Sequence, residues 1–362
     1  MAHLAESACF MRKYLMPILG KSMESEIFQI PEVFQKILDN SKQFDILPNI
    51  FKNNDFRSVQ ILARGTSDNA AHFLKYLIET KIGLPVGLTS LSSVTIYGTQ
   101  LKFENTLVIA ISQSGQSSDL IKYSSAAKAG GGFLIAMTND DLSPLAATAD
   151  IHISLLAGKE IAVAATKSYA AELLCSLLLV NCWLNQSTQV QQIQSIIKQA
   201  YSLITNSNLV AKAVESVNSQ DEIVVLGRGF SYPNAKEFAL KIQETSKVSV
   251  QGLSIADYMH GPISALTSDT HLFVLAQNDS DLSFVKEYIS QIRSRSPKIY
   301  WIGTSSLAQS DEIVIEGSAT GNEIYNCIID CIIGQRFALE FARKNGLDPD
   351  SPTGLNKVTL TN

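Results

Sequence analysis

The chain has 362 residues, of which 46% are hydrophobic and 17% charged, and its formal net charge is −5. This composition is typical of a globular protein with room for two domains and excludes a disordered chain. A negative charge without a long basic run argues against nucleic-acid binding. The longest apolar stretch, residues 173–184, is too short to span a bilayer, and no signal peptide is indicated. We therefore expect a cytoplasmic protein without a membrane partner.

The first half of the chain is predicted to alternate between strands and helices after a helical start. Residues 1–45 are predicted to be helical, because apolar residues recur at helical spacing from Pro31 onward. Predicted strands then cover 59–63, 85–88, 106–111, 133–137 and 151–155, with helices at 68–80, 117–127 and 166–185. Short apolar strands separated by helices indicate a parallel sheet covered on both faces, the doubly wound α/β arrangement.

A second unit of the same kind is predicted to follow. A long helix over 191–216 is expected to join the two units. The second unit has predicted strands at 222–226, 271–275 and 298–302, and predicted helices at 233–245, 282–293 and 323–344. The tail is rich in Pro, Gly, Asp and Ser and is expected to be irregular. The predicted parts are therefore a helical segment at 1–45, α/β units at 46–205 and 206–346, and a tail at 347–362.

Two stretches of the first unit recur in the second at one offset of 164 positions. Leu-Ala-Arg-Gly-Thr-Ser at 62–67 returns as Leu-Gly-Arg-Gly-Phe-Ser at 226–231, and residues 108–115 return at 272–279. Two matches at one offset indicate a duplicated α/β unit. In the second copy Ser112, Ser114 and Gly115 are replaced by Ala, Asn and Asp, so hydroxyls are lost and a carboxylate is gained. We therefore expect one phosphate site per chain, in the first unit.

The loop 112–117, Ser-Gln-Ser-Gly-Gln-Ser, is the candidate phosphate site. It follows a buried strand and precedes a helix, so it lies at the carboxyl edge of the sheet, where free N–H groups of the helix can hold an anion. A single serine would be explained as a helix cap. Three serines around Gly115 favour phosphate, and Thr66 and Ser67, at the preceding strand-to-helix turn, would flank the same pocket. The loop matches neither the Walker pattern nor the dinucleotide glycine pattern.

Four further residues are candidates for acid–base chemistry. Glu244 ends a predicted helix, and Lys241 lies one turn before it, so both face the same way. His260 directly precedes a Gly-Pro turn, and Lys357 lies in the tail. From composition alone each has an ordinary alternative: Glu244 as a solvated helix residue, His260 as a turn residue and Lys357 as a surface lysine.

The five cysteines are expected to be reduced and buried in a reducing compartment. They are Cys9, Cys175, Cys182, Cys327 and Cys331. The last two are four residues apart on a predicted helix and could in principle hold a metal. No histidine or further cysteine lies nearby in the sequence, so we expect no metal.

From about residue 23 the chain resembles the isomerase domain of glucosamine-6-phosphate synthase, a pair of sugar-isomerase (SIS) subdomains. The resemblance is carried by motifs at 65–67, 112–115, 158–167, 239–244, 260–262 and 355–359. These motifs occur in the family's order over almost the whole chain. The resemblance therefore implies two tandem SIS subdomains.

The resemblance also implies roles for individual residues. The sugar phosphate is expected to be bound by Ser112, Gln113, Ser114 and Ser117, with Ser67 and the Val163 backbone near the sugar. Glu244 is expected to move a proton between C1 and C2, supported by Lys241. Lys357 would engage the open-chain carbonyl. His260 would serve ring opening from the neighbouring subunit of a homodimer with shared active sites. No cofactor is implied.

Two departures from the synthase pattern shape the expected function. No glutaminase domain is expected, since residues 1–22 are too few, and Thr353 stands where a basic residue is expected. We therefore expect a stand-alone glucosamine-6-phosphate deaminase, which converts glucosamine 6-phosphate and water to fructose 6-phosphate and ammonia. A deglycase for sugar-phosphate amine adducts and an aldose–ketose isomerase remain open. A non-catalytic sugar-phosphate sensor is the alternative from another class.

A homodimer is also favoured by two apolar helical stretches. Residues 173–184 and 328–339 are too apolar for solvated faces, which suggests that a second subunit covers them.

Overall fold

Two parallel five-stranded sheets, one in each half of the chain, form the framework of the computed structural model, which describes residues 18–186, 189–276, 279–303 and 306–357. The strands are β1 Ser58–Leu62, β2 Val86–Leu88, β3 Thr106–Ser112, β4 Phe133–Thr138, β5 Ile151–Ser154, β6 Ile223–Gly227, β7 Val250–Ser254, β8 His271–Ala276, β9 Lys298–Gly303 and β10 Ile313–Glu316.

Helices flank both sheets and fill most of the connections between strands. Those in and before the first half are α1 Lys21–Phe28, α2 Ile30–Asp39, α3 Leu47–Asn53, α4 Thr66–Leu77, α5 Ser92–Thr95, α6 Ser118–Ala129, α7 Pro144–Thr148 and α8 Lys167–Trp183. Those of the second half are α9 Val190–Thr205, α10 Ala211–Ser216, α11 Ser231–Ser246, α12 Ile255–Met259, α13 Asp279–Arg293 and α14 Glu323–Lys344. A π-helical segment, Ile78–Ile82, extends α4, and 3₁₀ turns occur at Ser41–Phe44 and Pro262–Ala265.

The two sheets have the same topology, which confirms the duplication. The first has the order β2-β1-β3-β4-β5, and the second, taken from β7 to β10, has β7-β6-β8-β9-β10. Val59 pairs with Leu107 between β1 and β3, and 164 residues further on Ile223 pairs with His271 between β6 and β8. All pairings are parallel, so the predicted pair of doubly wound α/β units is correct.

One predicted helix and two strands differ from the sequence prediction, and the short helices α3, α5, α7 and α12 were not predicted either. The single helix expected over 191–216 is two helices, because the chain becomes extended at Asn206 between α9 and α10. Asn206-Ser207-Asn208 is a run of short polar side chains, which compete for backbone hydrogen bonds and favour turns. Strands β7 and β10 were not predicted. Both are edge strands with one neighbour each. The apolar pattern of β7, Val-Gln-Gly-Leu-Ser, is weak, whereas β10, Ile-Val-Ile-Glu, is apolar but only four residues long.

The apolar stretches 173–184 and 328–339 are covered inside the chain, which corrects their interpretation as subunit surface. Residues 167–180 of α8 are buried, as is nearly all of α14 from Asn326 to Ala342. Helix α8 packs on α2 and α4, and α14 packs on α9 and α11. Their apolar character is therefore explained by burial within one subunit and says nothing about a dimer. None of the described helices is both long and apolar enough to cross a membrane.

The described cysteines are free thiols, as predicted. Cys175, Cys327 and Cys331 are buried and Cys182 is half-buried. The Cys327 thiol donates to the Phe230 carbonyl oxygen, and the Cys331 thiol donates to the Ile328 carbonyl oxygen. Burial raises the pKa of Cys182 to about 11, so its thiol stays protonated at neutral pH. Cys9 lies outside the described residues.

The tail is irregular as far as Lys357, as predicted, and it is held by the first helix. The Asp350 carboxylate accepts hydrogen bonds from the backbone N–H groups of Ser22 (2.7 Å) and Met23 (2.8 Å). A carboxylate at this position satisfies the open N–H groups of α1 and interacts favourably with its dipole. The N-terminal helix thus fixes the tail that carries Lys357.

Candidate active site

A cleft of about 330 Å³ opens at the carboxyl ends of β1 and β3. The chain leaves β1 toward β2 on one side and leaves β3 toward β4 on the other, which creates the crevice where ligands of such sheets bind. The cleft is lined by Arg64, Gly65, Thr66, Ser67, Ile111, Ser112, Gln113, Ser114, Ser117, Leu120, Val163, Ala165, Ser168, Glu172, Glu244, Leu355, Asn356 and Lys357. The structure thus brings together nine of the eleven residues predicted for the site.

The serine loop after β3 has the shape of an anion site. Gly115 has a φ of +62°, and a Cβ there would lie 2.3 Å from Ser143 Oγ, so only glycine fits. Ser112 Oγ accepts from the Gly115 N–H at 3.1 Å and Ser114 Oγ accepts from the Gln116 N–H at 3.3 Å, which fixes the turn. Ser117 caps α6 in an extended conformation without a side-chain cap bond, so its hydroxyl is free to serve a ligand.

Glu244 reaches this cleft from the second unit. Helix α11 packs on α4, and Thr66 and Asn69 of α4 donate hydrogen bonds to Glu237 of α11 at 3.2 and 2.8 Å. This packing places Glu244, two turns further along α11, at the cleft with its side chain 23% exposed. A partly open carboxylate at the rim of a sugar-sized cleft can accept a proton from carbon.

Lys241 lies behind Glu244 and does not line the cleft. Its ammonium is buried, donates to Glu244 Oε2 and to Thr66 Oγ1 (3.0 Å), and lies 3.4 Å from Glu237 Oε1. Burial alone would lower the pKa of Lys241, but the carboxylates of Glu237 and Glu244 outweigh it and raise that pKa. Lys241 therefore stays charged and positions Glu244.

Lys357 enters the cleft from the tail and is held by a buried carboxylate. Its ammonium donates to Glu160 Oε2 at 2.9 Å and to the Ala162 carbonyl oxygen at 2.7 Å. Glu160 also accepts from the N–H groups of Thr166 and Ser168. Burial favours the neutral acid, but the charge of Lys357 and these hydrogen bonds lower the pKa of Glu160 below its ordinary value. Glu160 is therefore ionised, and the tail amine is docked as its ion-pair partner.

Two buried acids were missed as functional residues in the sequence. Glu172 lies on α8, where it accepts a hydrogen bond from Ser67 Oγ at 2.7 Å, and burial raises its pKa to about 8, with Glu237 adding to the shift. Burial also raises the pKa of Glu237, to about 7. For Glu172 the available signal was a carboxylate within a mainly apolar helix, whereas Glu237 lies among other charged residues of α11 and gave no such signal. Glu160 lay in a motif of the resemblance but received no role.

Besides Lys241, His260 is the predicted site residue that does not line this cleft. It is exposed at the C-terminal end of α12 and does not line the cleft of its own chain. Its expected role in a neighbouring subunit stays a prediction. Val163 lines the cleft, and its N–H donates to the Asp350 carbonyl oxygen at 3.3 Å. In the second copy of the serine loop, Gln277 and Asn278 lie outside the described residues.

The fold and cleft define a tandem α/β protein with a serine-rich loop, a carboxylate and a lysine at one sheet edge. The chain belongs to the SIS domain family, whose model matches residues 54–181 and 216–332. It is 30% identical over 353 residues to glutamine–fructose-6-phosphate aminotransferase (isomerizing) of Aquifex aeolicus, covering 93% of this chain and 57% of that protein. The chain thus spans less than three fifths of that relative's length.

Solved structures agree with this assignment. A candidate phosphosugar isomerase from Silicibacter pomeroyi is 26% identical and superposes with a TM-score of 0.81, covering 92% of this chain and all of that one. Glucosamine-6-phosphate deaminase from Thermotoga maritima has a TM-score of 0.75 at 18% identity, covering 94% of this chain and 99% of that one. At that identity the second likeness shows a shared fold.

Proposed function

We propose that this protein is a phosphosugar isomerase of the SIS family that acts as a glucosamine-6-phosphate deaminase. The observation that carries the proposal is the meeting of the serine loop, Glu244 and Lys357 in one cleft. A phosphate held at one end places C1 and C2 of a hexose against the carboxylate at the other, which converts binding into orientation. The Aquifex relative is an aminotransferase of fructose 6-phosphate and the Thermotoga neighbour is a glucosamine-6-phosphate deaminase, which favours an amino-sugar phosphate as the substrate.

The proposed reaction requires one proton shuttle and one hydrolysis. In the open-chain aldehyde, Glu244 takes the proton from C2 to give an enolamine, and a proton returned to C1 gives the imine at C2. Water adds to the imine carbon and ammonia leaves, so fructose 6-phosphate is formed. Lys241 holds the Glu244 carboxylate in place, and Lys357 lies where the carbonyl end of the sugar would be polarised or captured.

The likeness to the Silicibacter candidate isomerase favours a second function, aldose–ketose isomerisation without loss of ammonia. The same carboxylate would then move a proton between C1 and C2 of a neutral sugar. One experiment separates the two functions. Purified protein is given glucosamine, galactosamine, glucose and fructose 6-phosphates and a fructosamine 6-phosphate adduct, and ammonia, free amine and ketose are measured. Ammonia release from an amino sugar supports the deaminase, whereas turnover of neutral sugars alone would refute it.

A further inference from the structure

The candidate active site holds more acids than bases. Four carboxyl groups lie in or directly behind the cleft, and two lysines face them: Glu160, Glu172, Glu237, Glu244, Lys241 and Lys357. Lys241 is shared between Glu237 and Glu244, and Lys357 is paired with Glu160. Arg64, at the rim, is paired with Asp119 at 2.9 Å. Glu172 is the carboxyl group left without a cation.

Glu172 also lines the cleft and has a carboxyl oxygen without a hydrogen-bond partner among the described residues. Its residue is 1% exposed and lines the cleft beside Ser67. Ser67 Oγ donates to Oε1, whereas Oε2 is buried and has no hydrogen-bond partner among the described residues. An unsatisfied buried carboxyl oxygen costs stability, and an apolar side chain of the same size would cost less. Glu172 Oε2 therefore does not stabilise the free protein. This suggests that its hydrogen-bond partner is a ligand.

We propose that Glu172 binds the ammonium group of an amino-sugar phosphate and thereby makes the cleft select amino sugars over neutral ones. The proposal rests on the proposed function, because it names the residue that recognises the leaving amine. A cation beside Oε2 would complete the pairing of charges in the site and satisfy its open lone pairs. A neutral sugar would leave the acid unpaired, and discrimination follows from that difference.

The state of Glu172 in the free protein supports this assignment. Burial first, and then the neighbouring carboxylates of Glu237 and Glu160, raise the pKa of Glu172 to about 8, while the Ser67 hydrogen bond and Lys241 oppose the shift. At pH 7 the free group is therefore a neutral acid. Pairing with an ammonium group favours the carboxylate, so binding of an amino sugar releases a proton from Glu172.

The test compares two reduced, unreactive ligands that differ only at C2, 2-amino-2-deoxyglucitol 6-phosphate and glucitol 6-phosphate. Calorimetry at pH 7 in buffers of different ionisation enthalpy gives each dissociation constant and the protons released. The wild type is expected to bind the amine ligand about tenfold to a hundredfold more tightly, the range of a charge-assisted hydrogen bond, and to release more protons with it. Glu172→Gln, which keeps the shape, should bring the affinity ratio close to one and abolish the extra proton release.

A matched control is Glu26→Gln. Glu26 is a buried acid, 3% exposed, that does not line the cleft. Its carboxylate accepts a hydrogen bond from the N–H of Ala162, which directly precedes the cleft residue Val163. Its loss is expected to change both dissociation constants by the same factor. An unchanged ligand ratio in Glu172→Gln, or equal proton release with both ligands in the wild type, overturns the assignment. If the Gln variant does not fold, equal proton release with both ligands in the wild type still overturns the proposal.

Measuring ammonia release alongside ligand binding separates the test of Glu172 from the test of the proposed function. Ammonia release by the wild type with no change of ligand ratio in Glu172→Gln refutes the role of Glu172 and leaves the deaminase proposal standing. A ligand ratio that depends on Glu172, in a protein that releases no ammonia from any amino sugar, refutes the deaminase and supports amine recognition.

Discussion

Replacing Glu172 with Gln should change how the stability of the protein depends on pH. Burial, together with the charge of Glu237, raises the pKa of Glu172 from 4.5 to about 8. Between these two values the folded protein keeps a proton on Glu172, whereas the unfolded chain has lost it. The wild-type free energy of unfolding therefore falls as pH rises through this window, because the folded state binds more protons. Glutamine does not titrate, so the variant lacks this loss.

The size of the effect follows from the shift. At ~1.36 kcal/mol per pKa unit, a pKa of about 8 against 4.5 corresponds to at most about 5 kcal/mol at pH 9. Relaxation of the site around the ionised group reduces this, and we expect about 2–4 kcal/mol. Below pH 4.5 the group is protonated in both states and contributes nothing. Relative to wild type, Glu172→Gln should therefore gain stability steadily from pH 5 to pH 9.

Urea unfolding followed by circular dichroism at pH 5, 7 and 9 measures this difference. Glu26 and Glu237, whose pKa values are raised to about 7, titrate in both proteins and largely cancel in the comparison. A difference between the two proteins that is constant from pH 5 to pH 9 would show that Glu172 has an ordinary pKa. The argument for a neutral, unpaired acid in the free protein would then fail.

Four further outcomes test the remaining parts of the site. Ser114→Ala should weaken substrate binding about tenfold to a hundredfold, measured as Kd or KM, since it removes one hydroxyl donor from the phosphate; unchanged binding would refute the loop assignment. Glu244→Gln should bind the amine ligand normally and release no ammonia, and near-normal turnover would refute its role as the base. Gly115→Ala should lower Tm by several degrees in a thermal melt, because a Cβ would lie 2.3 Å from Ser143 Oγ at a φ of +62°; a Tm equal to that of wild type would contradict the packing. If His260 completes the partner's site, mixing Glu244→Gln with His260→Ala subunits should restore about a quarter of wild-type activity, and no recovery despite subunit exchange would place each site within one chain.

Periodicity and turn chemistry were sufficient to predict the main elements of the fold from sequence. Buried central strands such as β3 are continuous apolar runs. Such a run can be recognised from the local sequence alone, without knowledge of which distant strands pair with it. The edge strands β7 and β10 depend on pairing with one neighbour and were missed. The break at Asn206 was missed for a different reason, because the apolar spacing continues across it.

The residues of the candidate site were predictable where they belong to a recognisable loop or motif. They were missed where their properties arise from burial in the folded protein. The serine loop was recognisable from its composition and from its position between a strand and a helix. Glu172 looks like one acid in an apolar helix, and its raised pKa arises only when α4 and α11 close around it. Likewise, Asp350 gives no sign in the sequence that it caps a helix more than 300 residues away. Such roles come from tertiary contacts between distant segments.

The duplication also explains why one chain should contain one such site. Helices α4 and α11 occupy equivalent positions after the first strand of each unit, and they pack against each other. Helix α11 contributes Glu244 to the cleft of the first unit, and α4 is its equivalent in the duplication. At the 164-residue offset, Lys241 and Glu244 of α11 correspond to Leu77 and Thr80. The helix equivalent to α11 therefore has neither the carboxylate nor its lysine at those positions, and the second unit supports Glu244 at the cleft of the first.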